Sequence, residues 1–487
     1  MKNFRLSKNA FVRQYGPYTH VFNQLTKSDL DLKDAEPYFK FIGRDAISID
    51  DAVSRILEIF VDATEGQVRQ DLREILDVLV DGGFVVEGES SEELARLDPS
   101  FSYAVEAPST AFDLGNITEQ ERQYAREHAE LHKYFEAHPT PFSIHLDLTS
   151  NCTEKCVHCY VPRDRHWTLD TDVALRVIDE FCEMGGLGIT LSGGECMLHP
   201  DFKQILSYAR ERDLAVSVLS NLTLCDDQMS CFLAAQNLSL VQVSLYSMES
   251  KIHDAITQFP GSFVKTKQAI ERLHAMNVPI QISCPTMKGN YKGYRAVIDY
   301  GVSLKCKTYT DFIMMARSDH TTDNLANRLS LDETREIIMT IAEHDPSFVA
   351  EIHDYDPSKE ISAEEWGNLP MCGIGIDSIC LNADGNYYPC SGFQDFPLGN
   401  CHKQSLKDVW ENSPAIHRLR SLRKKDIPKC LSCLDRMYCA TCPVRNFNET
   451  GNMLTPAQHF CDVAKLNHDI VVEKRNKIIE AARKAGN

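Results

Sequence analysis

The chain has 487 residues, which predicts two or three domains, and 43% of them are apolar, enough for several buried cores. Its net charge of −19 argues against nonspecific nucleic-acid binding and is compatible with a cationic small molecule or a basic peptide as partner. No apolar run reaches the roughly 18 residues of a membrane span and the N-terminus lacks a secretory signal, so we expect a soluble cytoplasmic protein.

Residues 1–95 predict a small unit of strands and helices. The segments "FRLSKNAFVRQYG" and "THVFNQLTK" alternate around a Gly-Pro turn, which predicts a hairpin. One helix begins at the N-cap Ser48, and a second ends at Gly82-Gly83 before the strand "FVVEG". Together these elements predict a winged-helix-like domain.

Residues 96–140 predict a linker that becomes helical at "TEQERQYAREHAELHKYFEAH". From 141 to 355, apolar runs alternate with amphipathic stretches, which predicts five or six βα units around a parallel sheet with ligands at the carboxyl ends of its strands. This length suits a partial (β/α)6 barrel of the α/β class. The predicted strands are "SIHLDL", "GITLSG", "AVSVLS", "VQVSLYS", "IQISCP" and "TYTDFIMMA".

The chain contains 18 cysteines, and none lies in its first 150 residues. Reduced thiols in a cytosolic protein usually indicate metal binding or catalysis. Residues 356–487 are rich in them, and "CLSCLDRMYCATC" is too crowded with thiols to fold around an apolar core. In the same region, Asp384-Gly385 predicts the turn of a hairpin.

Three cysteines in "TSNCTEKCVHCY" follow the first predicted barrel strand: Cys152, Cys156 and Cys159. Three thiolates leave one iron of a four-iron cluster open, and an open coordination position is typical of a reactive site. A zinc site with His158 or His166 as fourth ligand is the alternative.

The second predicted strand ends in "LSGGECMLHPDF". Gly193 and Gly194 allow the backbone to come close to a ligand, and Glu195 offers a carboxylate beside them. Gly-Gly-Glu alone is weak evidence, but behind a cysteine triplet it is strong.

With these motifs the chain resembles the radical S-adenosylmethionine (SAM) enzymes. In that family the open iron binds the amino and carboxylate groups of SAM, and one-electron cleavage gives a 5′-deoxyadenosyl radical that abstracts hydrogen. The resemblance implies that Cys152, Cys156 and Cys159 hold the cluster. It further implies cofactor contacts from His158 beside adenine, Gly193, Gly194 and Glu195 at the amino group, Ser220 and Asn221 at the ribose, and Ser244.

The tail resembles a SPASM domain, the extension of radical SAM enzymes that carries two auxiliary clusters. By this resemblance the first cluster is held by Cys372, Cys380, Cys390 and Cys442, and the second by Cys430, Cys433, Cys439 and Cys461. The last C-x2-C gap is one residue shorter than usual, and Cys401 could replace Cys380. Asp377 and Asp384 are candidates for a catalytic base. Two zinc ribbons are the alternative for the tail alone.

The head resembles the recognition element that binds leader peptides in enzymes acting on ribosomally made, post-translationally modified peptides. Such modules take an extended leader as an extra strand. DNA binding is the rival function, but "VRQDLREILDVL" lacks the basic cluster that a recognition helix needs.

Together the three resemblances imply a peptide maturase with SAM and three [4Fe–4S] clusters, one for SAM and two auxiliary. We expect it to receive electrons from a flavodoxin or ferredoxin and to crosslink a precursor peptide oxidatively. A thioether is the first expectation and a carbon–carbon or carbon–oxygen bond the second. The alternatives are peptide epimerisation, maturation of a folded protein such as an anaerobic sulfatase, and a zinc-dependent DNA-binding regulator.

Overall fold

The computed structural model describes residues 2–104, 130–131, 133–344, 361–439 and 441–485. Its strands are β1 Asn3–Leu6, β2 Ala10–Tyr15, β3 Tyr18–Asn23, β4 Ser28–Lys33, β5 Ile47–Ser48, β6 Val85–Gly88, β7 Ser143–Thr149, β8 Gly188–Gly193, β9 Ala215–Ser220, β10 Leu240–Ser244, β11 Ile280–Ser283, β12 Lys307–Tyr309, β13 Ser378–Leu381, β14 Asn386–Tyr388 and β15 Gly399–Asn400.

The described α-helices span Glu36–Phe39, Ile49–Leu57, Glu65–Asp81, Ser91–Leu97, Thr171–Glu183, Phe202–Glu211, Asp227–Ala235, Ser250–Thr257, Ser262–Ala275, Tyr294–Ser303, Leu331–His344, Ala363–Asn368, Leu406–Asn412, Pro414–Ser421, Pro428–Leu431, Pro443–Thr450 and Gln458–Ala485. Short 3-10 helices span Cys196–Leu198, Tyr291–Gly293, Asp323–Asn327, Lys424–Asp426 and Arg436–Tyr438. None of the described helices combines the length and the apolar character that a bilayer crossing requires.

Strands β7 to β12 lie side by side in chain order and pair in parallel. Helices connect them, as expected for successive βα units. The predicted partial (β/α)6 barrel is therefore confirmed, and all six predicted strands are present. Because the strands are parallel, their carboxyl ends lie at the same edge of the sheet. The loops that follow β7, β8, β9 and β10 therefore lie together at this carboxyl edge.

The two faces of β7 differ in chemistry because successive side chains of a strand point to opposite sides. Ile144, Leu146 and Leu148 are buried in the main core with residues of the helix Thr171–Glu183. His145 and Asp147 point the other way, and their side chains pair at 2.9 Å. One side of the first strand thus packs against helices while the other is polar.

The cysteine-rich tail extends the same sheet. β13 pairs in parallel with β7, placing Cys380 opposite His145, and β14 and β15 follow in antiparallel order. The predicted turn at Asp384-Gly385 is present, and Gly385 has a φ of +78°. The result is a nine-stranded mixed sheet in which the tail is continuous with the barrel.

The head contains two three-stranded sheets. The first has the order β5-β1-β6 and packs against the helices Ile49–Leu57 and Glu65–Asp81. The first of these helices is capped by Ser48 and the second ends at Gly82, as the sequence predicts. The second sheet contains the predicted Gly-Pro hairpin, formed by β2 and β3, and adds a strand that the sequence reading missed, β4.

The head lies against the end of the barrel where the strands begin. Arg13 donates from Nε to the carbonyl of Gly186 at 2.8 Å, just before β8. Lys27 Nζ donates to the carbonyl of Ser239 at 2.8 Å, just before β10. The predicted linker helix at 118–138 lies mostly outside the described residues. The head therefore docks opposite the edge that carries the cysteine triplet.

Candidate active site

The cysteine triplet occupies the loop directly after β7, at the carboxyl edge of the sheet. The loop is fixed by the amide of Lys155, which donates to the carbonyl of Thr257 at 2.8 Å. Burial raises the pKa of the Cys156 thiol well above its usual value, and the charges of Glu154, Cys159 and Cys152 add to this shift. The charges of Cys152 and Cys159 therefore affect the pKa of Cys156, as expected for neighbouring thiols.

Two residues beside these thiols, Glu154 and His158, have buried polar atoms suited to a polar ligand. Burial raises the pKa of Glu154 to about 7; its Oε2 accepts a hydrogen bond from the Cys156 thiol at 3.2 Å, while its Oε1 is buried without a partner among the described residues. His158, whose pKa burial lowers to about 4, has a buried Nδ1 that likewise lacks a described partner. Its ring meets that of Tyr246 edge-on at 5.1 Å. Three thiols and two unsatisfied polar atoms fit an iron–sulfur cluster with a polar cofactor beside it.

Gly193 and Gly194 are packed against the start of the cysteine loop. A Cβ at Gly193 would lie 2.2 Å from the carbonyl oxygen of Thr149, and Gly193 has a φ of +129°. A Cβ at Gly194 would lie 2.3 Å from the carbonyl oxygen of Asn151. The glycine pair thus permits a close approach of two backbone segments, in addition to lining the cavity described below.

Glu195 is fully buried and links the loops after β8 and β9. Its carboxylate accepts hydrogen bonds from Ser220 Oγ at 2.8 and 3.0 Å, from the amide of Asn221 at 2.8 Å and from the amide of Met197 at 3.1 Å. Asn221 in turn donates from Nδ2 to Thr153 at 2.9 Å, next to Cys152. A single hydrogen-bonded network therefore connects the predicted ribose-contacting pair to the cysteine loop.

The end of β10 approaches the same loop. Tyr246, two residues after Ser244, has its hydroxyl 3.8 Å from the thiol of Cys156 and its ring against that of His158. The end of β10 thus supplies a residue that contacts both the cysteine loop and His158. Sequence reading missed Tyr246 and Glu154, although the position of Glu154 between two triplet cysteines was a signal that could have found it.

A small cavity of about 20 Å³, the size of one water molecule, lies between the cysteine loop and the β13–β14 hairpin. Among the described residues that line it, Asp147 supplies a carboxylate, and Asn382 and Gln394 carry side-chain amides. The remaining lining residues are Thr149, Ser150, Val161, Arg165, Trp167, Gly193, Gly194 and Ala383. Because the cavity is bounded by both the barrel and the tail, a molecule held there would contact both.

The predicted first auxiliary set is close to this cavity. Burial raises the pKa of the Cys390 thiol to about 12, and the charges of Cys442 and Cys372 add to that shift. Burial also raises the pKa of Cys380, and the charges of Asp147, Cys390 and Asp384 contribute. The four predicted thiols thus form an electrostatically connected group that includes Cys442, although Cys442 lies between Cys439 and Cys461 of the second set in sequence.

Cys401, the alternative fourth ligand, lies in the main hydrophobic core, 2% exposed. Its thiol is 3.4 Å from the position that a Cβ of Gly385 would take. Its pKa is raised by burial and responds to Arg176, Asp384 and Glu180. Its surroundings are therefore those of a packed side chain beneath the hairpin turn.

The two candidate bases differ in position. Asp384 accepts hydrogen bonds from the amide of Asn386 at 2.9 Å and from the hydroxyl of Tyr388 at 2.8 Å, which holds it in the hairpin turn. Asp377 precedes β13, and its carbonyl accepts from the amide of Ser143 at the start of β7. The structure therefore brings Asp384 near Cys380 and leaves Asp377 at the opposite edge of the sheet from the cysteine loop.

The predicted second auxiliary set also comes together. Burial raises the pKa of the Cys430 thiol to about 11, and the charges of Cys439, Cys461 and Cys433 add to the shift. Cys461 is supplied by the long helix Gln458–Ala485, the other three by the crowded segment before it. The charges of the other three thiols therefore all act on Cys430, which places the four in one neighbourhood.

Comparison with protein families identifies two domains. Residues 146–299 match the radical SAM superfamily, and residues 372–434 match the SPASM iron–sulfur cluster-binding domain. The first range contains the triplet, Gly-Gly-Glu and the Ser220–Asn221 pair; the second begins at Cys372. The predicted resemblances to radical SAM enzymes and to SPASM domains are confirmed.

Curated relatives and solved structures extend these matches. The chain is 26% identical over 335 residues to an AdoMet-dependent heme synthase of Methanosarcina barkeri, covering 64% of this chain and 94% of that one. It is 25% identical over 321 residues to the antilisterial bacteriocin subtilosin biosynthesis protein AlbA of Bacillus subtilis, covering 64% and 69%. The fold is similar to that of Streptococcus suis SuiB bound to precursor peptide SuiA, with a TM-score of 0.60, 17% identity and coverage of 93% and 98%.

Proposed function

We propose that this radical SAM enzyme with a SPASM domain modifies a ribosomally synthesised precursor peptide by oxidative crosslinking, a thioether first and a carbon–carbon or carbon–oxygen bond second. The observation that carries the proposal is the junction of the cysteine loop with the β13–β14 hairpin, where the polar face of the barrel meets the cysteine-rich tail. We assign residues 1–95 to leader binding, 96–140 to a linker, 141–355 to the barrel and 356–487 to the SPASM domain.

Cys152, Cys156 and Cys159 would hold the cluster that binds SAM. When bound there, SAM supplies a 5′-deoxyadenosyl radical that abstracts hydrogen from the substrate. Hydrogen bonds from Ser220 and Asn221 to Glu195, and from Asn221 to Thr153, join the loops after β7, β8 and β9. This network would hold the carboxyl edge of the barrel in place around the cofactor. The contacts that we propose for SAM come from His158, Gly193, Gly194, Glu195, Ser220, Asn221 and Ser244.

The auxiliary thiols would hold two further four-iron clusters, giving three in all. Their mutual effects on pKa support this grouping, with Cys380 as the fourth ligand of the first set because it interacts with Cys390. The second set is held by Cys430, Cys433, Cys439 and Cys461. After one hydrogen atom has been abstracted, closing the crosslink releases one electron and one proton, and these clusters would carry the electron away. The electron that cleaves SAM would come from an external flavodoxin or ferredoxin.

A crosslinking reaction also releases a proton. Asp384 would have to give up its hydrogen bonds from Asn386 and Tyr388 to accept it. Asp147 lines the cavity directly and is paired with His145 at 2.9 Å. We infer that Asp147 is better placed than Asp384 or Asp377 to receive the proton.

A peptide substrate is favoured by the extent of the matches. The fold similarity to peptide-bound SuiB spans 93% of this chain and so includes most of the head. AlbA, at nearly the same identity as the heme synthase, acts in the biosynthesis of a bacteriocin. A head docked on the barrel gives a leader peptide a surface to bind, which a small porphyrin does not need.

The head offers an edge on which a leader can pair. Just beyond β4, the amide of Asp34 donates to the carbonyl of Pro17 at 2.8 Å. Along an antiparallel pair every second residue hydrogen-bonds to the partner strand, and the backbone groups of the residues between them point outward. Leu30 and Leu32 therefore direct their backbone groups to β3, whereas Lys33 directs its own outward from the edge strand β4. An extended leader can add to this edge as a further strand.

Anaerobic co-expression with the small open reading frames beside the gene, followed by mass spectrometry, tests the proposal. We expect the loss of two hydrogen atoms per crosslink, with a cysteine that no longer reacts with iodoacetamide when the bond is a thioether. A variant with Cys152, Cys156 and Cys159 all changed to alanine is the matched control. An unchanged mass with an inverted residue would show epimerisation, and conversion of an iron porphyrin instead of any peptide would overturn the proposal.

A further inference from the structure

We propose that Arg317 is a positioning residue for the SAM cluster and that its buried charge favours the reduced state of that cluster. Arg317 lies beyond β12, outside the cysteine, Gly-Gly-Glu and Ser-Asn motifs. The inference rests on the proposed role of Cys152, Cys156 and Cys159 as cluster ligands, and it is independent of the bond formed in the peptide.

The segment 317–327 covers one side of the cysteine loop. The backbone carbonyls of five consecutive loop residues, 157–161, each accept a hydrogen bond from this segment. The donors are the amide of Ser318, the side-chain amides of Asn324 and Asn327, and the guanidinium of Arg317. The segment is therefore a clamp that fixes the half of the loop containing Cys159.

Arg317 makes two of these five contacts and brings a positive charge to the loop. Its Nη1 donates to the carbonyl of Cys159 at 2.7 Å and to that of Val161 at 3.4 Å. Its Nε and Nη2 donate to the two carboxylate oxygens of Asp323, both at 2.9 Å. The side chain of Arg317 is 5% exposed, whereas that of Asp323 is 69% exposed. The cation is therefore buried beside the cysteine loop, while solvent screens the anion that it pairs with.

The charge of Arg317 reaches the thiol of Cys159 as well as the loop backbone. Burial raises the pKa of this thiol, and the charge of Arg317 opposes the rise. A four-iron cluster gains one negative charge when it is reduced, and the charges around a cluster help to set its potential. A cation in a poorly screened position stabilises that added charge. Arg317 would therefore favour the electron transfer that precedes SAM cleavage.

The reduction potential of the SAM cluster, measured without SAM or peptide, tests the inference. The intact enzyme is reconstituted anaerobically, poised at fixed potentials and followed by electron paramagnetic resonance. The variant with Cys152, Cys156 and Cys159 changed to alanine gives the auxiliary signals, which are subtracted. At a fixed potential, Arg317→Gln should lower the ratio of reduced to oxidised cluster about tenfold, a shift of about 59 mV for one electron. Arg317→Lys keeps the charge and should shift the potential less.

Asp323→Asn separates an electrostatic role from a structural one. It breaks the same ion pair but removes a negative charge, so the potential should become less negative, opposite to the effect of Arg317→Gln. A clamp that acts by shape alone would move both variants in the same direction. Because Asp323 is exposed, its variant remains informative should Arg317→Gln fail to fold.

Arg212→Gln is the matched control, since Arg212 belongs to another Arg–Asp pair, with Asp179 at 2.7 Å, at the end of the helix Phe202–Glu211. Its iron content and potential should equal those of the unchanged enzyme. An unchanged potential in Arg317→Gln, or the absence of a less negative potential in Asp323→Asn, would overturn the inference. If the triple-alanine variant keeps every reducible signal of the unchanged enzyme, the ligand assignment fails and the inference fails with it.

Discussion

The carboxylate of Glu195 and the hydroxyl of Ser220 are joined by hydrogen bonds of 2.8 and 3.0 Å, which fasten the loop after β8 to the end of β9. Both carboxylate oxygens also face a backbone amide, that of Met197 on one side and that of Asn221 on the other. The pair therefore holds the predicted cofactor-contacting residues in a fixed arrangement.

Glu195→Gln should weaken this arrangement although it preserves shape. The new amide group must face one of the two backbone N–H donors, and a buried donor without an acceptor costs about 1–3 kcal/mol. We expect a lower midpoint of anaerobic thermal unfolding and weaker SAM binding by equilibrium dialysis. Glu183→Gln, on an exposed position, is the matched control. Unchanged unfolding and SAM affinity in Glu195→Gln would contradict the network.

Gly193→Ala and Gly194→Ala should displace the cysteine loop. Each new methyl would meet a backbone oxygen of the loop, at 2.2 and 2.3 Å respectively, and backbone cannot move as freely as a side chain. We expect iron content to fall by about one four-iron cluster and 5′-deoxyadenosine formation to be lost. Gly188→Ala, in the same strand, has its nearest neighbour at 3.9 Å and should keep its iron. Full iron content in Gly194→Ala would disprove the contact.

Much of the barrel could be predicted because its strands alternate with amphipathic helices. Strand β4 was missed although "SDLDLK" alternates acids with leucines, a period-2 pattern that could have predicted a half-buried strand. In the structure Asp31 is 6% exposed and faces the buried junction with the barrel. A sequence shows that a face is polar, but it does not show that the polar face is covered by another domain.

The sequence also does not show which auxiliary cysteines lie together in the fold. Spacing identifies Cys430 and Cys433 as neighbours, but it does not show that Cys442 joins Cys390 across the chain. That relationship depends on how the hairpin from Cys380 to Tyr388 packs on β7. The structure also gives Cys380 and Cys401 different surroundings, which spacing alone does not show. The charge of Cys390 acts on Cys380, whereas Cys401 lies in the main hydrophobic core.

Cys380→Ala and Cys401→Ala should have different effects on iron. Cys380 interacts with Cys390 and is a proposed ligand, so its loss should remove up to about four irons per chain. Cys401 lies in the hydrophobic core, where alanine leaves a small cavity and the clusters intact. Iron and sulfide analysis with Mössbauer spectroscopy gives the count. Retention of all iron by Cys380→Ala, with loss in Cys401→Ala, would reverse the assignment.

Lys33→Pro should weaken leader binding without unfolding the head. Lys33 is exposed at the end of β4, and its backbone N–H points away from β3, so proline removes an outward donor and leaves the ladder to β3 in place. Losing one intermolecular backbone hydrogen bond should weaken the affinity for the leader by roughly tenfold. Fluorescence anisotropy with a labelled leader of the precursor found by co-expression measures this change.

Lys33→Ala separates the backbone from the side chain, because it removes the same ammonium group and keeps the N–H. It should bind the leader within about twofold of the unchanged enzyme, since one exposed charge contributes little. Iron content and SAM cleavage without peptide should be the same in both variants, because β4 lies at the opposite end of the barrel from the cysteine loop. If proline and alanine weaken binding equally, the leader contacts the side chain of Lys33, and pairing along the β4 edge is excluded.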